Sequence, residues 1–336
     1  MIIREQLEQQ ELKMLSPFAC PNLGHAKRRK PETPCPYRTE FQRDRDRILH
    51  CNAFRRLKRK TQVFLSPSGD HYRTRLTHTL EVAQIARTIS RAMRLNEDLT
   101  EAIALGHDLG HSPFGHSGES ILNSICPHGY RHYEQSLRVV DKIEKKGKGL
   151  NLTEEVRNGI LCHTNRVAET KEGNVVRVAD RIAYMNHDIE DAVRAGILHR
   201  DELPRDVIEV LGDTKTKRIT TLVGAVIAHG PEEISMAPDI QAMHDKLHAF
   251  LFEHVYYNPI AKQEEHKAEL LIETLYRYFI SHPDALPEEY QRIAQQEDID
   301  RAVCDYISGM SDGYAVDLYT ELFIPKGWRS SAGPIS

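Results

Sequence analysis

THTLEVAQIARTISRAM, residues 77 to 93, repeats an apolar residue every third or fourth position. Four of these residues form one row: Val82, Ile85, Ile89 and Ala92. Such a row is the stripe that an amphipathic α-helix turns toward a core. His78 heads the row, so its imidazole is expected to face inward. A single histidine there is more often a core residue than a ligand, because a buried imidazole needs only two hydrogen-bond partners.

Helical spacing recurs along the chain, and no stretch of comparable length alternates apolar and polar residues as a strand would. The stretches are FQRDRDRILHCNAFRRLKR (41–59), EDLTEAIALGHDLG (97–110), TEEVRNGILCHT (153–164) and VVRVADRIAYMNHDIEDAVRAG (175–196). We therefore predict an all-α protein with a core over residues 37–200.

The two ends of the chain have a different character. Residues 16–39 hold five prolines and no sustained period, which predicts an irregular arm over residues 1–36. After residue 200 helical patterns return between proline-containing breaks. We predict a helical C-terminal region, 201–336, packed on the core.

Composition restricts the class of protein. A chain of 336 residues with 40% hydrophobic content can bury a full core. Six cysteines without a CxxC pair, an N-terminus without an apolar segment and no run near the roughly 18 apolar residues of a membrane span favour a reduced, soluble, cytoplasmic protein.

The net charge of −4 conceals a basic segment, since residues 27–60 hold 13 Lys and Arg against 4 Asp and Glu. A solvated charged surface explains such a run, and so does binding of nucleic acid, nucleotide phosphates or an acidic protein surface.

Two further stretches concentrate polar residues. HDLGHSPFGHSGE, residues 107–119, holds three histidines, an aspartate and a glutamate around glycines and a proline. In the helix predicted over 175–196, one stripe is apolar and the opposite side carries Asp180, Tyr184, Asp188 and Asp191. That side is either an ordinary solvated face or the wall of a polar pocket.

Taken together, His78, His107, Asp108 and Asp180 offer two imidazoles and two carboxylates. This donor set suits one divalent ion: Mn²⁺ or Mg²⁺ first, with Fe²⁺, Co²⁺, Ni²⁺ and Zn²⁺ as alternatives. The H…HD…D string resembles the HD-domain phosphohydrolase superfamily, which implies an HD-type helical core with a helical C-terminal extension.

A longer series of motifs resembles the deoxynucleoside triphosphate triphosphohydrolase (dGTPase-like) family. It runs YRTEFQRDRDRILHCNAFRRLKRKTQVF (37–64), RTRLTHTLEVAQIAR (73–87), HDLGHSPFGHSGE (107–119), RHYEQSLR (131–138) and ADRIAYMNHDIEDA (179–192). The resemblance implies hydrolysis of dGTP and other dNTPs to deoxynucleoside and tripolyphosphate. It also implies a homo-oligomer, often a hexamer, with single-stranded DNA or a nucleotide as activator.

The candidate catalytic pair is His116 and Glu119, three residues apart on a helical turn, where the carboxylate can orient the imidazole. The resemblance gives His116 a part in proton transfer or in attack at the α-phosphate, and the sequence does not choose between them. Arg75, one turn from His78, is a candidate for a bidentate phosphate contact.

Substrate contacts come from the same resemblance. It places Gln62 at the deoxyribose or base edge, Tyr184 against the sugar where a 2′-hydroxyl would clash, and Asp188 at the 3′-hydroxyl. His111 contacts phosphate or a water, or is structural. His132 and Arg181 contact phosphate or have surface roles.

Two alternative functions stay open at this point. One is another HD-type phosphohydrolase, a nucleotidase or a phosphodiesterase for cyclic or alarmone nucleotides. The other is a nucleic-acid-binding, nucleotide-sensing regulator that uses residues 27–60.

Overall fold

The computed structural model describes residues 2–62, 73–256 and 259–325, without the side chains of 256–263. The parts of the predicted segments that fall on residues 1, 63–72, 257–258 and 326–336 lie outside the described residues. Within the described ranges the backbone forms helices and two isolated β-bridges, Arg28 with Thr153 and Thr61 with Thr74. The prediction of an all-α protein is confirmed.

The α-helices are numbered in chain order. They are α1 (Ile3–Met14), α2 (Glu40–Leu49), α3 (Asn52–Arg56), α4 (Arg75–Ala92), α5 (Glu97–Gly106), α6 (Gly115–Ile125), α7 (His132–Arg138), α8 (Glu144–Gly147), α9 (Glu154–Cys162), α10 (Lys171–Arg194), α11 (Arg205–Leu211), α12 (Lys215–His229), α13 (Pro238–Leu251), α14 (Pro259–Ser281), α15 (Glu288–Gln296), α16 (Ile299–Ser308) and α17 (Asp312–Phe323).

Short helical turns of other kinds interrupt this series. The 3₁₀ turns are Leu57–Arg59, Arg200–Glu202 and Pro283–Ala285, and the π-type turns are Val139–Ile143 and Phe252–Tyr256.

The first hydrophobic cluster is built around α4, α5 and α10, which pack against one another. Three of the four residues in the predicted apolar row of α4 are buried: Val82 and Ile89 are 0% exposed and Ile85 is 1% exposed, whereas Ala92 at the end of the helix is exposed. His78 lies on the same buried face of α4, as expected. The polar residues that these helices turn inward are therefore held on a rigid support.

A second cluster joins α6 to the C-terminal helices. Leu122 of α6 is buried with Ile272 of α14 and Val303 of α16. The helix that begins in the HDLGHSPFGHSGE stretch is thus packed on the C-terminal region. The boundaries predicted at residues 36 and 200 stay predictions.

The prediction of an irregular arm over residues 1–36 is wrong for Ile3–Met14, which form α1. The segment IREQLEQQELKM consists mostly of residues with high helix propensity. The ion pair from Arg4 to Glu8, 2.7 Å long, joins two successive turns. An apolar period is weak here, so a search for hydrophobic spacing missed this helix.

Candidate active site

Three helices carry the predicted metal ligands. His78 lies in the first turn of α4, His107 is the residue that ends α5, Asp108 follows it, and Asp180 lies in the middle of α10. Because α4, α5 and α10 pack on each other, the four side chains meet at one point although 102 positions separate the first from the last.

The distances are those of ligands around one ion. His78 Nε2 is 3.1 Å from Asp180 Oδ1 and 3.9 Å from Asp108 Oδ2. His107 Nε2 is 3.5 Å from Asp108 Oδ2 and 3.9 Å from Asp180 Oδ1. Ligand atoms roughly 2.0–2.2 Å from a common ion lie about 3–3.6 Å apart, so a small contraction brings all four to bonding distance.

The tautomer of His107 supports a cation. Its Nδ1 lies 2.6 Å from Ala104 O, and a carbonyl oxygen only accepts, so Nδ1 carries the hydrogen. Nε2 therefore holds a lone pair. This nitrogen is buried and has no hydrogen-bond partner among the described residues. A buried nitrogen that faces two carboxylates is satisfied by a proton or by a metal cation, and a divalent cation would also offset the charge of both carboxylates.

Charges around the four ligands are strongly coupled. Burial raises the pKa of Asp108, but His107, His111 and Arg75 outweigh burial and hold that pKa well below its usual range. Burial likewise opposes ionisation of Asp180, and the bond to His78 brings its pKa down to about 2. Both carboxylates are thus anionic and available as ligands.

Arg75 is 2% exposed, and its guanidinium group makes hydrogen bonds inside the site. Its Nη1 donates to Asp108 Oδ2 at 2.7 Å, and its Nη2 donates to Gln62 O at 3.4 Å. Gln62 is buried, and its Oε1 has no partner among the described residues. The phosphate contact expected of Arg75 stays a prediction, and the structure adds a role as support for Asp108.

A second group of polar residues adjoins the metal ligands. It is named here the histidine cluster and consists of His111, His116, Glu119, His132 and His163. The rings of His111 and His132 stack at 4.2 Å, and the rings of His111 and His116 lie 5.9 Å apart. His111 Nε2 is 3.6 Å from Asp108 Oδ1, which joins the cluster to the metal ligands.

The expected pairing of Glu119 with His116 needs correction. Glu119 accepts from the backbone N of His132 at 3.1 Å, and its carboxylate lies 2.8 Å from His132 Nδ1. Glu119 is 9% exposed and points inward from α6, whereas His116 is exposed. A buried carboxylate requires close donors, and α7 supplies two of them. The spacing of three residues correctly placed Glu119 near His116, but it did not identify the hydrogen-bond partner of Glu119.

His163 completes the cluster and was missed from the sequence. It follows α9, is 2% exposed, and its Nδ1 lies 2.7 Å from Ile160 O. Its Nε2 is 3.2 Å from His132 Nε2. His107 is oriented in the same way. Each of the two histidines directly follows the last residue of a helix, and its Nδ1 lies beside the carbonyl three residues earlier. The position of His163 directly after a helix, like that of His107, was the sequence feature that could have identified it.

Comparisons with known proteins identify two family domains in this chain. The HD domain covers residues 75–185, and the phosphohydrolase-associated domain covers residues 234–321. A deoxyguanosinetriphosphate triphosphohydrolase-like protein from Caldanaerobacter subterraneus subsp. tengcongensis is 56% identical over 331 residues, 98% of each chain. Proteins of the same description from Desulfatibacillum aliphaticivorans and Clostridium perfringens are 51% and 47% identical, over 97% of this chain and 99% of theirs.

This chain belongs to the deoxyguanosinetriphosphate triphosphohydrolase-like family. The resemblance inferred from the motifs is confirmed, together with the HD core. The four metal-ligand candidates all lie inside the part of this family member that matches the HD domain. Among its described helices, none has the length and apolar character that crossing a membrane requires.

The predicted sugar wall lies along α10 of this family member. Asp180, Tyr184 and Asp188 follow one another at intervals of four residues, so they occupy one side of the helix. Tyr184 is half-buried and its ring lies 6.2 Å from His248 of α13, while Asp188 is 2% exposed. Arg181 is exposed and donates to Thr164 O at 3.4 Å. The substrate contacts of these residues stay predictions.

Proposed function

We propose that the protein hydrolyses deoxynucleoside triphosphates, dGTP among them, at the α-phosphorus, which yields the deoxynucleoside and tripolyphosphate. The buried Nε2 lone pair of His107 beside Asp108 and Asp180 carries this proposal. A divalent cation held there with His78, Mn²⁺ or Mg²⁺ first, would neutralise the charge that grows on phosphate oxygens during attack.

His116 is the proposed catalytic histidine. Its ring is accessible at the surface of the site, and protein surrounds it on the other sides. That desolvation, followed by the positive charge of Arg75, lowers the pKa of His116 below its ordinary value. The imidazole is therefore neutral near pH 7. A neutral ring can accept a proton from the attacking water or attack phosphorus itself.

Glu119 and His132 support this step from behind. The Glu119 carboxylate holds His132 Nδ1, and His163 Nε2 faces the other end of the ring. The His132 ring stacks on His111, which lies between it and the metal ligands. We propose that His111 presents its Nδ1, which has no partner among the described residues, to the phosphate chain, and that the stacked ring of His132 fixes the orientation of His111.

Recognition of the sugar is assigned to Gln62, Tyr184 and Asp188. The unpartnered Oε1 of Gln62 is an acceptor for a hydroxyl or base edge. Tyr184 on α10 would pack against the sugar where a 2′-hydroxyl sits, and Asp188 would accept from the 3′-hydroxyl. Arg181 is the outermost candidate for a phosphate contact.

The nucleic-acid-binding alternative loses support from the basic segment. Arg28 pairs with Asp44 at 2.5 Å and Arg43 with Glu40 at 2.7 Å, and Arg47 also pairs with an acidic neighbour. Much of the positive charge over residues 27–60 is thus neutralised within the fold.

One group of basic residues lines a cavity of about 600 Å³ instead: Arg55, Arg56, Lys58 and Arg59. We propose this cavity as the place for the anionic activator that the family resemblance implies. The homo-oligomer is likewise a proposal, tested by light scattering after size-exclusion chromatography.

Product analysis tests the function. The purified protein is incubated with each of the four dNTPs and the four NTPs in Mn²⁺ or Mg²⁺, and products are resolved by ion-exchange chromatography and ³¹P NMR. Equal amounts of deoxynucleoside and intact tripolyphosphate are expected. Inorganic phosphate or pyrophosphate would identify a different phosphohydrolase and contradict the proposal.

Two variants control that assay. His107→Ala removes a proposed ligand and should abolish product. His50→Ala removes an exposed histidine after α2, outside the site, and should leave product formation unchanged. Tripolyphosphate formed equally by the His107→Ala protein would point to a contaminating hydrolase.

A further inference from the structure

The turn between α16 and α17, residues 308–312, reaches the active site from the C-terminal region. Asp312 ends this turn and begins α17. Its Oδ2 accepts from Thr61 N at 2.8 Å, and its Oδ1 accepts from Phe114 N at 3.0 Å. Both donors are backbone amides, one just before Gln62 and one inside the HDLGHSPFGHSGE stretch. One carboxylate therefore ties together two segments that border the site.

Lys60 makes a second connection from the same turn. Its side chain is 2% exposed, and its Nζ donates to His111 O and, at 2.8 Å, to Ser308 O. A buried amine is costly unless it is hydrogen-bonded, so these two carbonyls fix the position of Lys60 Nζ. Lys60 thus holds the start of the loop 111–116 at His111, and Asp312 holds the loop at Phe114.

The loop needs such support because of its backbone. Phe114 has φ 61° and ψ 25°, and Gly115 follows with φ 59°. The left-handed conformation suits glycine but is unfavourable for phenylalanine, and it persists only where surrounding contacts hold it. The amide that donates to Asp312 Oδ1 is that of Phe114 itself. His116 follows two residues later in the first turn of α6, so its direction depends on this backbone.

We propose that Asp312 is a positioning residue that holds the loop 111–116, and with it His116, in the conformation that the reaction needs. This rests on the proposed function of His116. Both carboxylate oxygens are used, and charge-assisted hydrogen bonds of this kind are short and strong. In Asp312→Asn one oxygen would be replaced by an NH₂ group that faces a backbone N–H.

Hydrogen exchange tests the positioning without any substrate. Peptides covering residues 109–118 are followed by mass spectrometry in wild type, Asp312→Asn and Asp312→Ala. Faster exchange of these peptides is expected in both variants, because the Phe114 amide loses its acceptor. The matched control is Asp298→Ala. Asp298 caps the neighbouring helix α16 by accepting from Arg301 N at 2.8 Å and pairs with His128 at 2.9 Å, and neither partner belongs to the loop.

Kinetics give the second readout. We expect kcat for dNTP hydrolysis to fall on the order of 10- to 100-fold in Asp312→Asn, as misplacement of a reacting group by about an ångström does. KM and bound metal, measured by elemental analysis, should change less than about threefold, because Asp312 contacts no metal ligand and no proposed substrate group. Asp298→Ala should keep the wild-type kcat.

The outcomes separate this proposal from the proposed function. If wild type produces no tripolyphosphate, the function is wrong, and exchange at 109–118 still decides whether Asp312 holds the loop. Unchanged exchange in Asp312→Ala, or equal acceleration in Asp298→Ala, would overturn the positioning role. If the wild type is active, an unchanged kcat in Asp312→Ala would also overturn the positioning role.

Discussion

The candidate metal ligands and the histidine cluster lie side by side but are assembled in different ways. His78, His107 and Asp180 are placed by helices of one hydrophobic cluster, and His107 is oriented by a carbonyl three residues away. The histidine cluster depends on partners from separate segments, as Glu119 of α6 binds His132 at the start of α7. The first group can be predicted from the sequence because neighbouring residues orient its side chains. The second group cannot, because its partners are distant in the sequence.

The electrostatic contrast is equally clear. Around the metal ligands, histidines and Arg75 keep the carboxylate pKa values low, so negative charge collects. In the histidine cluster burial dominates: it lowers the pKa of His163 to about 3 and holds the pKa of His111 well below its usual range. One half of the site is therefore suited to a cation, and in the other half burial favours the neutral rings of His111 and His163.

Loss of a metal ligand should have the largest effect. We expect His107→Ala and Asp108→Ala to lose both bound metal and hydrolysis, with helical circular dichroism largely retained, because each removes a ligand from a buried four-atom set. Elemental analysis after dialysis measures the metal. Undiminished metal in both variants would mean that these residues do not form the site.

A substitution at His116 tests catalysis separately from metal binding. His116→Ala should retain metal and substrate affinity while turnover falls on the order of 10² to 10⁴-fold, the usual contribution of one positioned proton-transfer group. Single-turnover rates and metal content are measured on the same preparation. An emptied metal site would make His116 a ligand and would turn the interpretation toward a two-metal centre.

The correction at Glu119 gives a smaller effect with a specific signature. Glu119→Gln should reduce turnover about 10- to 100-fold, less than His116→Ala, because it acts through another ring. Double-mutant cycles should show coupling on the order of 1–2 kcal/mol between Glu119→Gln and His132→Ala. Stronger coupling of Glu119 with His116 than with His132 would restore the pairing that the sequence suggested.

Much of the architecture could be predicted from the sequence, because helical period and an inward-facing polar residue are local properties. The buried part of the row on α4 and the proximity of the four metal-ligand candidates are the best examples, and the role of those four residues as ligands stays a prediction. The partner of Glu119 could not be predicted, since spacing along α6 gives proximity but not the position of α7. The same reason explains why the roles of three other residues were not predicted: His163, Lys60 and Asp312. Their contacts join segments between about 30 and 250 residues apart.

Sugar discrimination should change by a smaller factor still. If α10 forms the sugar wall, Tyr184→Ala should narrow the preference for dGTP over GTP by about tenfold, since removal of a steric wall alters discrimination by roughly 1–3 kcal/mol. The ratio of kcat/KM for the two nucleotides measures this. Equal turnover of GTP and dGTP by the wild type would remove the sugar wall from this helix.

The smallest predicted effect compares two carboxylates on α10, the half-buried Asp180 and the buried Glu172. Asp180 has a pKa of about 2 beside histidines, whereas burial raises the pKa of Glu172 to about 7. Glu172 is 0% exposed, and its Oε1 accepts from Cys20 N and Asn96 N at 2.9 Å each. An unfolded glutamate has a pKa near 4.3. The stability due to protonated Glu172 is therefore complete below about pH 4.3 and is lost as pH rises through about 7.

Glu172→Gln keeps an acceptor oxygen and removes the titrating proton. Measured by urea unfolding at constant metal, the free energy of unfolding of this variant relative to wild type should rise by about 1–3 kcal/mol between pH 4.5 and pH 8. Glu169→Gln, an exposed neighbour, controls for net charge. A difference independent of pH would show that the two backbone amides keep Glu172 ionised despite its burial. The low pKa at Asp180 would then be a general property of buried carboxylates on α10 rather than a consequence of the histidines at the metal site.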